Sequence, residues 1–167
     1  GSRSEYGLLK KLILTIQKNR LFKSNLIVTG SHLSKRYGFS LTEIKNDKVK
    51  ITKKIYINLN DDSSWGIGSA FSELMKKLNT FFKTNKYDLI ILLGDRYEAL
   101  SAGITSYINR IPILHIHGGE KTLNSLDENY RHCISKLANI HCVSHLEYKK
   151  RLIQLGEKKK IFFMLED

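Results

Sequence analysis

Short continuous apolar runs alternate along the chain with longer segments of helical periodicity. The runs have the length of strands and lie at 25–29 (NLIVT), 54–59 (KIYINL), 88–93 (DLIILL), 111–117 (IPILHIH) and 140–144 (IHCVS). Apolar residues at the i, i+3 and i+4 spacing predict helices at 5–20, 71–82, 97–109, 127–138 and 146–155. Continuous apolar strands separated by helices are typical of a parallel sheet covered on both faces, which predicts a doubly wound α/β fold.

The periodicity also predicts which side of the first helix is buried. The helical spacing places one apolar stripe on a single face, made of Leu8, Leu9, Leu12, Ile13 and Ile16. We expect this stripe to pack in the protein core.

The two ends of the chain differ from a complete protein of this class. The chain opens on a turn and a helix at Gly1, although the first strand is central in the strand order 3-2-1-4-5-6. After Gly156 the tail KKKIFFMLED offers one further apolar run and no second domain. We therefore expect residues 1–167 to be a single domain of a longer protein.

Charge and cysteine content change this picture little. The chain has 28 Lys and Arg against 16 Asp and Glu, a net charge of +12, but the lysines are dispersed and no nucleic-acid recognition motif accompanies them. We expect a solvated basic surface and no nucleic-acid partner; attraction of a small polyanion such as a nucleotide is the alternative.

No apolar stretch reaches the roughly 18 residues of a membrane span, and no secretory signal opens the chain, so we expect a cytoplasmic protein with no membrane partner. Cys133 and Cys142 lack zinc-like spacing and are expected to be buried.

A polar tripeptide, Gly94-Asp95-Arg96, follows the strand at 88–93. Ligands of open α/β sheets bind at the carboxyl ends of the strands. The Arg96 guanidinium could hold a phosphate there, beside the N-terminus of the next helix. Alternatively, Asp95 caps that helix and Arg96 pairs with it.

A second polar segment, HIHGGE, ends the strand at 111–117. His115 and His117 fall on one side of the strand by its period of two, and Glu120 follows its end. Two imidazoles and a carboxylate could bind zinc, but the usual metal spacings are absent, so we expect no metal. His115 is expected to be a packed, hydrogen-bonded core residue, which leaves His117 or Glu120 as the candidate acid or base.

The segment DENYRH opens a helix and places charged residues at the i, i+4 spacing. Asp127 is expected to pair with Arg131, and Glu128 with His132. These are either ordinary pairs on a helix surface or two acids and two bases brought to one helix end near the Gly-Gly-Glu loop. No P-loop and no GxGxxG motif occurs in the sequence, which disfavours nucleoside triphosphate hydrolysis and NAD binding.

Five segments together resemble one protein family. They are GSRSEYG (1–7), VTGSHLSKRYG (28–38), LLGDRYE (92–98), HIHGGEKT (115–122) and DENYRHCISKLA (127–138). The family is the hydrolysing UDP-N-acetylglucosamine 2-epimerases of bacterial sialic-acid synthesis, a step toward capsule or surface polysaccharide. The resemblance implies that residues 1–167 are the N-terminal, Rossmann-like half of a two-domain GT-B fold, without its first strand and C-terminal domain. It also implies a homodimer.

The resemblance implies a reaction and a set of site residues. In that family UDP-N-acetylglucosamine loses H-2 and UDP by elimination, and water adds to the 2-acetamidoglucal to give N-acetylmannosamine, with no cofactor. Arg3 and Arg96 are implied to contact the UDP part. The implied catalytic residues are Asp95, His117, Glu120, Asp127, Glu128, Arg131 and His132. Some relatives carry Glu where this chain has His117. Because half of the substrate contacts would come from the second domain, we expect little or no turnover by residues 1–167 alone.

Four other interpretations stay open. Two keep the fold and the chemistry: a non-hydrolysing UDP-N-acetylglucosamine 2-epimerase, and a hydrolysing enzyme for a di-N-acetylated 6-deoxy sugar nucleotide. A UDP-sugar glycosyltransferase half-domain would keep the fold but would not need the carboxylates between residues 120 and 128. A non-catalytic basic binding protein would show steep salt dependence of binding.

Overall fold

Helices and parallel strands alternate along the chain, and the computed structural model describes residues 1–122, 125–157 and 161–165. The helices are α1 (Arg3–Lys18), α2 (Leu41–Asn46), α3 (Ser64–Thr84), α4 (Tyr97–Ile108), α5 (Leu126–Leu137) and α6 (Leu146–Gln154). The strands are β1 (Ile27–Thr29), β2 (Lys53–Ile55), β3 (Ile90–Leu93), β4 (Ile113–Ile116), β5 (Ile140–Val143) and β6 (Ile161–Met164). In the described part of the chain, no helix is both long enough and apolar enough to span a membrane.

The strands form two parallel sheets in two compact units. Residues Gly1–Leu74 form the first unit and Met75–Asp167 the second, with the boundary inside α3. The first unit pairs β1 with β2, and the second has the strand order β3-β4-β5-β6. The predicted parallel α/β fold class is confirmed. The expectation of a central strand ahead of Gly1 stays a prediction, and the lysines at 158–160 of the tail lie outside the described residues.

The core of the first unit corrects the predicted orientation of α1. Only Tyr6 of this helix is buried, and Leu8 and Leu12 of the predicted stripe are 63% and 36% exposed. The face that packs on the buried cluster carries Tyr6, Ile13 and Leu14. Polar contacts fix this rotation, because the Tyr6 hydroxyl and the Lys10 ammonium both donate to Asp47, at 2.8 and 2.6 Å.

The second unit aligns the ends of three neighbouring strands. Leu93 of β3 lies opposite Ile116 of β4, and Ile116 lies opposite Cys142 of β5. Parallel strands in this register bring their carboxyl ends to one edge of the sheet, which is where ligands bind in folds of this class.

The two cysteines differ in burial. Cys142 is buried in β5 as expected, but Cys133 is exposed, so the prediction for Cys133 is wrong. The inner face of α5 carries Arg131, Ile134 and Ser135, and Cys133 lies outside that face.

Candidate active site

Polar side chains follow three neighbouring strands of the second unit. Asp95 comes after β3, His117 comes directly after β4, and Ser144 comes directly after β5. Their strands are hydrogen-bonded neighbours in the order β3-β4-β5. The sheet therefore brings groups that are distant in sequence to one edge.

Asp95 is held by a buried arginine from α5. The Arg131 Nη2 atom donates to Asp95 Oδ2 and, at 3.1 Å, to Thr122 Oγ1, and the Arg131 side chain is only 7% exposed. The predicted Asp127–Arg131 pair is wrong, because Arg131 lies on the inner face of α5 and meets the carboxylate that follows β3. Among the described residues, the Arg131 Nε and Nη1 atoms are buried without a hydrogen-bond partner.

Arg96 is the N-cap residue of α4 and pairs with a buried glutamate. Its Nε atom lies 3.1 Å from Glu98 Oε2, and Glu98 is 3% exposed. The N-cap residue of α4 is Arg96 and Asp95 pairs with Arg131, so the alternative in which Arg96 pairs with a helix-capping Asp95 is wrong. The arrangement leaves a partly exposed guanidinium at the N-terminus of a helix, where an anion is favoured.

His117, Glu120 and Ser144 form a hydrogen-bonded cluster. The His117 Nδ1 atom lies 2.5 Å from Glu120 Oε1, which also accepts from the Ser144 hydroxyl at 2.8 Å. An ionised carboxylate only accepts, so Nδ1 carries the proton and the lone pair of the neutral imidazole lies on Nε2. His117 has a φ of +61°, so it does not continue the period of β4 as the sequence predicts. Such a backbone conformation is rare for a residue other than glycine and clusters at functional sites.

The first turn of α5 carries the remaining acidic candidates. Ser125 caps the helix by accepting from the Asp127 N–H at 3.1 Å. Glu128 Oε1 lies 3.5 Å from His132 Nε2, which confirms that predicted pair. Across residues 1–122, 125–157 and 161–165, the Asp127 carboxylate takes part in no ion pair, and the Asp127 N–H donates to Ser125.

Arg3 lies in the first unit, in the first turn of α1. Its side chain is 77% exposed and its Nε atom lies 2.7 Å from Glu43 Oε1. Ser2 and Glu5 form a capping box that fixes the start of the helix. Gly1 O accepts from the Ser31 hydroxyl at 3.1 Å, which ties this turn to the segment that follows β1. A cleft in the same unit is lined by Gly30, Leu33, Ser34 and residues 56–60.

The zinc alternative finds no support in the geometry of His115. Both of its ring nitrogens are occupied by protein groups, the Gly94 carbonyl and the Ser135 hydroxyl, and its side chain is fully buried. This confirms the expectation of a packed, hydrogen-bonded core residue. The described residues contain no group of three or more His, Cys, Asp or Glu that could hold a metal ion.

Two residues that contact the site, Ser144 and Thr122, were not predicted from the sequence. Ser144 holds Glu120, and Thr122 holds Arg131. Ser144 is the last residue of the predicted strand at 140–144, so the strand-end rule that selected Asp95 could have found it as well. No pattern in the sequence singles out Thr122.

The fold and the site together define a Rossmann-like α/β protein with acid–base side chains at the ligand-binding edge of its sheet. The family model described as UDP-N-acetylglucosamine 2-epimerase matches residues 14–164, and the chain belongs to that family.

Relatives and solved structures agree with this assignment. The chain is 42% identical to polysialic acid biosynthesis protein P7 of Escherichia coli over 95% of this chain and 40% of that protein. It is 41% identical to the GDP/UDP-N,N'-diacetylbacillosamine 2-epimerase (hydrolyzing) of Campylobacter jejuni over 98% of this chain and 42% of that protein. The structure of UDP-GlcNAc 2-epimerase from Neisseria meningitidis bound to UDP-GlcNAc has a TM-score of 0.85 at 19% identity, over 98% of this chain and 43% of that one. The chain thus spans less than half the length of these relatives.

Burial of His32 and His115 is expected to make the protein sensitive to mild acid. Burial lowers the pKa of both His32 and His115 to about 4. The unfolded chain, with histidine pKa values near 6.5, binds more protons between these limits, so stability is complete above about pH 6.5 and is lost as the pH falls toward 4. Each histidine should cost about 2 kcal/mol of unfolding free energy between pH 7.5 and pH 5, measured by urea unfolding.

Single replacements separate the contribution of one buried histidine from the effect of low pH on the rest of the protein. His32→Gln should remove about 2 kcal/mol of the pH-dependent loss, whereas His145→Gln, at an exposed position, should leave the loss unchanged. An unfolding free energy that stays constant between the two pH values would contradict the expectation.

Proposed function

We propose that the chain is the N-terminal half of a hydrolysing 2-epimerase that converts UDP-N-acetylglucosamine and water into N-acetylmannosamine and UDP. The observation that carries the proposal is that Asp95 and the hydrogen-bonded His117–Glu120 pair follow adjacent parallel strands. These are the acid–base groups that removal and return of a proton at C-2 require. A homodimeric, cytoplasmic enzyme for sialic-acid synthesis belongs to the same proposal.

The reaction needs two proton-transfer groups, one on each face of the sugar. In the first step a base takes H-2, the released electron pair forms the C-1=C-2 double bond, and the C-1–O bond breaks with its electrons leaving on UDP. In the second step water gives its hydroxyl to C-1, and a proton returns to C-2 from the opposite face. Asp95 offers a fixed carboxylate, and Nε2 of His117 offers a lone pair supported by Glu120.

The departing UDP carries negative charge that cations must stabilise. Arg96, at the N-terminus of α4, and Arg3, in the first unit, are proposed to bind it. Arg131 and His132 are proposed to orient or neutralise the carboxylates at Asp95 and Glu128, with which they pair. Asp127 is proposed to face the sugar.

Sequence identity to the relatives supports a second candidate substrate, a di-N-acetylated sugar nucleotide. Identity to the Campylobacter jejuni diacetylbacillosamine enzyme is 41%, against 31% to the UDP-N-acetylglucosamine 2-epimerase of Neisseria meningitidis. The alternative is therefore the same hydrolysing reaction on a di-N-acetylated 6-deoxy sugar nucleotide.

The test is a proton NMR time course in D2O on a hybrid in which this chain replaces the matched segment of the Escherichia coli relative. We expect release of UDP together with N-acetylmannosamine that is deuterated at C-2. A deuterated sugar that stays attached to UDP would indicate a non-hydrolysing epimerase. Faster release from the di-N-acetylated substrate would select the second candidate.

Residues 1–167 alone serve as the matched control and should show little or no turnover. The hybrid is first checked for helix content by circular dichroism and for binding of UDP by calorimetry. A folded hybrid that binds UDP and exchanges no deuterium with either sugar nucleotide would overturn the proposal.

A further inference from the structure

We propose that His115 is a positioning residue that holds the Gly94-Asp95-Arg96 turn in its catalytic geometry, an inference that rests on the proposed function. It is the one fully buried histidine of β4, and the chemistry described above makes no use of it. Its role follows from what its two ring nitrogens bind.

The hydrogen bonds of His115 define its tautomer. Nε2 lies 2.7 Å from the carbonyl oxygen of Gly94, and Nδ1 lies 3.1 Å from the Ser135 hydroxyl. A carbonyl oxygen only accepts, so Nε2 carries the proton, and Nδ1 of the neutral ring accepts from Ser135. Burial keeps the ring neutral by lowering its pKa to about 4.

Two residues of β4 thereby form hydrogen bonds with Gly94, one with its N–H and one with its carbonyl. The Gly94 N–H donates to the Ile116 carbonyl at 3.0 Å, while the Gly94 carbonyl accepts from His115. Gly94 has a φ of +77°, and the chain bends at this residue, directly before Asp95. Fixing both peptide groups of this turn fixes the direction in which the Asp95 side chain leaves the sheet.

Helix α5 contacts the same turn through two residues, one directly and one through His115. Arg131 pairs with the Asp95 carboxylate, and Ser135, one helical turn further on, contacts His115. The packing around the ring is tight, because a Cβ added at Gly118 would lie 3.0 Å from both His115 Nδ1 and Ser135 Oγ. The two hydrogen bonds and this close packing hold the His115 ring, which couples α5 to the backbone that carries Asp95.

The test compares two replacements of His115 in the hybrid. His115→Leu removes both hydrogen bonds and should lower kcat about 100-fold with KM changed less than about 3-fold, because a displaced reacting group affects the chemical step and not substrate binding. His115→Gln keeps a donor near the Nε2 position and should recover most of the lost kcat. Ile113→Ala, at a fully buried position of the same strand, is the control for lost packing and should keep the kcat of its folded fraction.

Two NMR measurements on the 167-residue chain are independent of turnover. Nitrogen-15 spectra should show His115 as the neutral tautomer protonated at Nε2, and Ser135→Ala should shift only its Nδ1 signal. Carbon-13 spectra should show a shifted Asp95 carboxylate in His115→Leu and not in Ile113→Ala. If the wild-type hybrid turns over no sugar nucleotide, the proposed function fails while these spectra still decide whether His115 positions Asp95. An Nε2 without a proton, or an unmoved Asp95 signal in His115→Leu, would overturn the inference.

Discussion

Replacing Asp95 by Asn is expected to lower kcat of the hybrid about 1,000-fold and the unfolding free energy by about 3 kcal/mol. Activity falls because the amide cannot take up or deliver the proton. Stability falls because the Arg131 side chain, 7% exposed, loses the negative charge it pairs with and stays buried. Product release followed by NMR gives the first quantity, and urea unfolding of the 167-residue chain gives the second.

The same strand offers a matched control. Asp88 precedes β3, at its amino end, and is exposed. Asp88→Asn makes an identical chemical change and should leave the unfolding free energy within about 0.5 kcal/mol and kcat within about 2-fold. Adding Arg131→Met to Asp95→Asn should return part of the lost stability, because no buried charge then remains. Equal activity of Asp95→Asn and Asp88→Asn would exclude Asp95 from the site.

Replacing Gly119 by Ala is expected to lower the unfolding free energy by about 3 kcal/mol or more, since two costs add. The φ of +77° at this residue costs about 1–2 kcal/mol with a side chain. The new Cβ would lie 2.5 Å from the Tyr148 carbonyl oxygen and 2.9 Å from Leu152 Cγ, and such overpacking costs about 1–3 kcal/mol. The loop must then move away from α6, which displaces the His117–Glu120 pair and lowers kcat as well.

Gly156→Ala separates the backbone cost from the steric cost. Gly156 has a φ of +89°, and among the described residues its added Cβ would meet only the Lys136 Nζ atom, at 3.6 Å. This variant should lose about 1 kcal/mol, the backbone cost alone. Urea unfolding of both variants gives the comparison. Equal losses would mean that the loop at Gly119 adapts without strain, contrary to the expectation.

The strand and helix pattern could be predicted because it depends on local spacing. Continuous apolar runs located β1 to β5 to within a few residues, and helical spacing located all but the short helix α2. The face of α1 could not be predicted, since Tyr6 and Lys10 meet Asp47, a residue 37 or more positions away. The burial of Cys133 was predicted wrongly for a similar reason: the side of α5 that faces the sheet is fixed by tertiary contacts.

The candidate site shows the same division. Family motifs selected Asp95, His117, Glu120 and the first turn of α5, and in the structure Asp95 and His117 follow the neighbouring strands β3 and β4. Helical spacing was correct for Glu128 and His132, whose contact lies within one helix. It was wrong for Arg131, because Arg131 pairs with the half-buried carboxylate of Asp95, which follows β3, and not with the local partner Asp127. The catalytic roles of Asp95, His117, Glu120 and the residues in the first turn of α5 stay predictions.

The sequence by itself determined the α/β class, the order of the elements and the segments that carry the chemistry, because each of these depends on residues within a few positions of one another. Only the tertiary structure decided the partners: Asp95 with Arg131, Glu120 with Ser144, and His115 with Gly94. These pairs join residues 21 to 36 positions apart. Parallel pairing of β3, β4 and β5 brings them together, and no local spacing along the chain records which strand lies next to which.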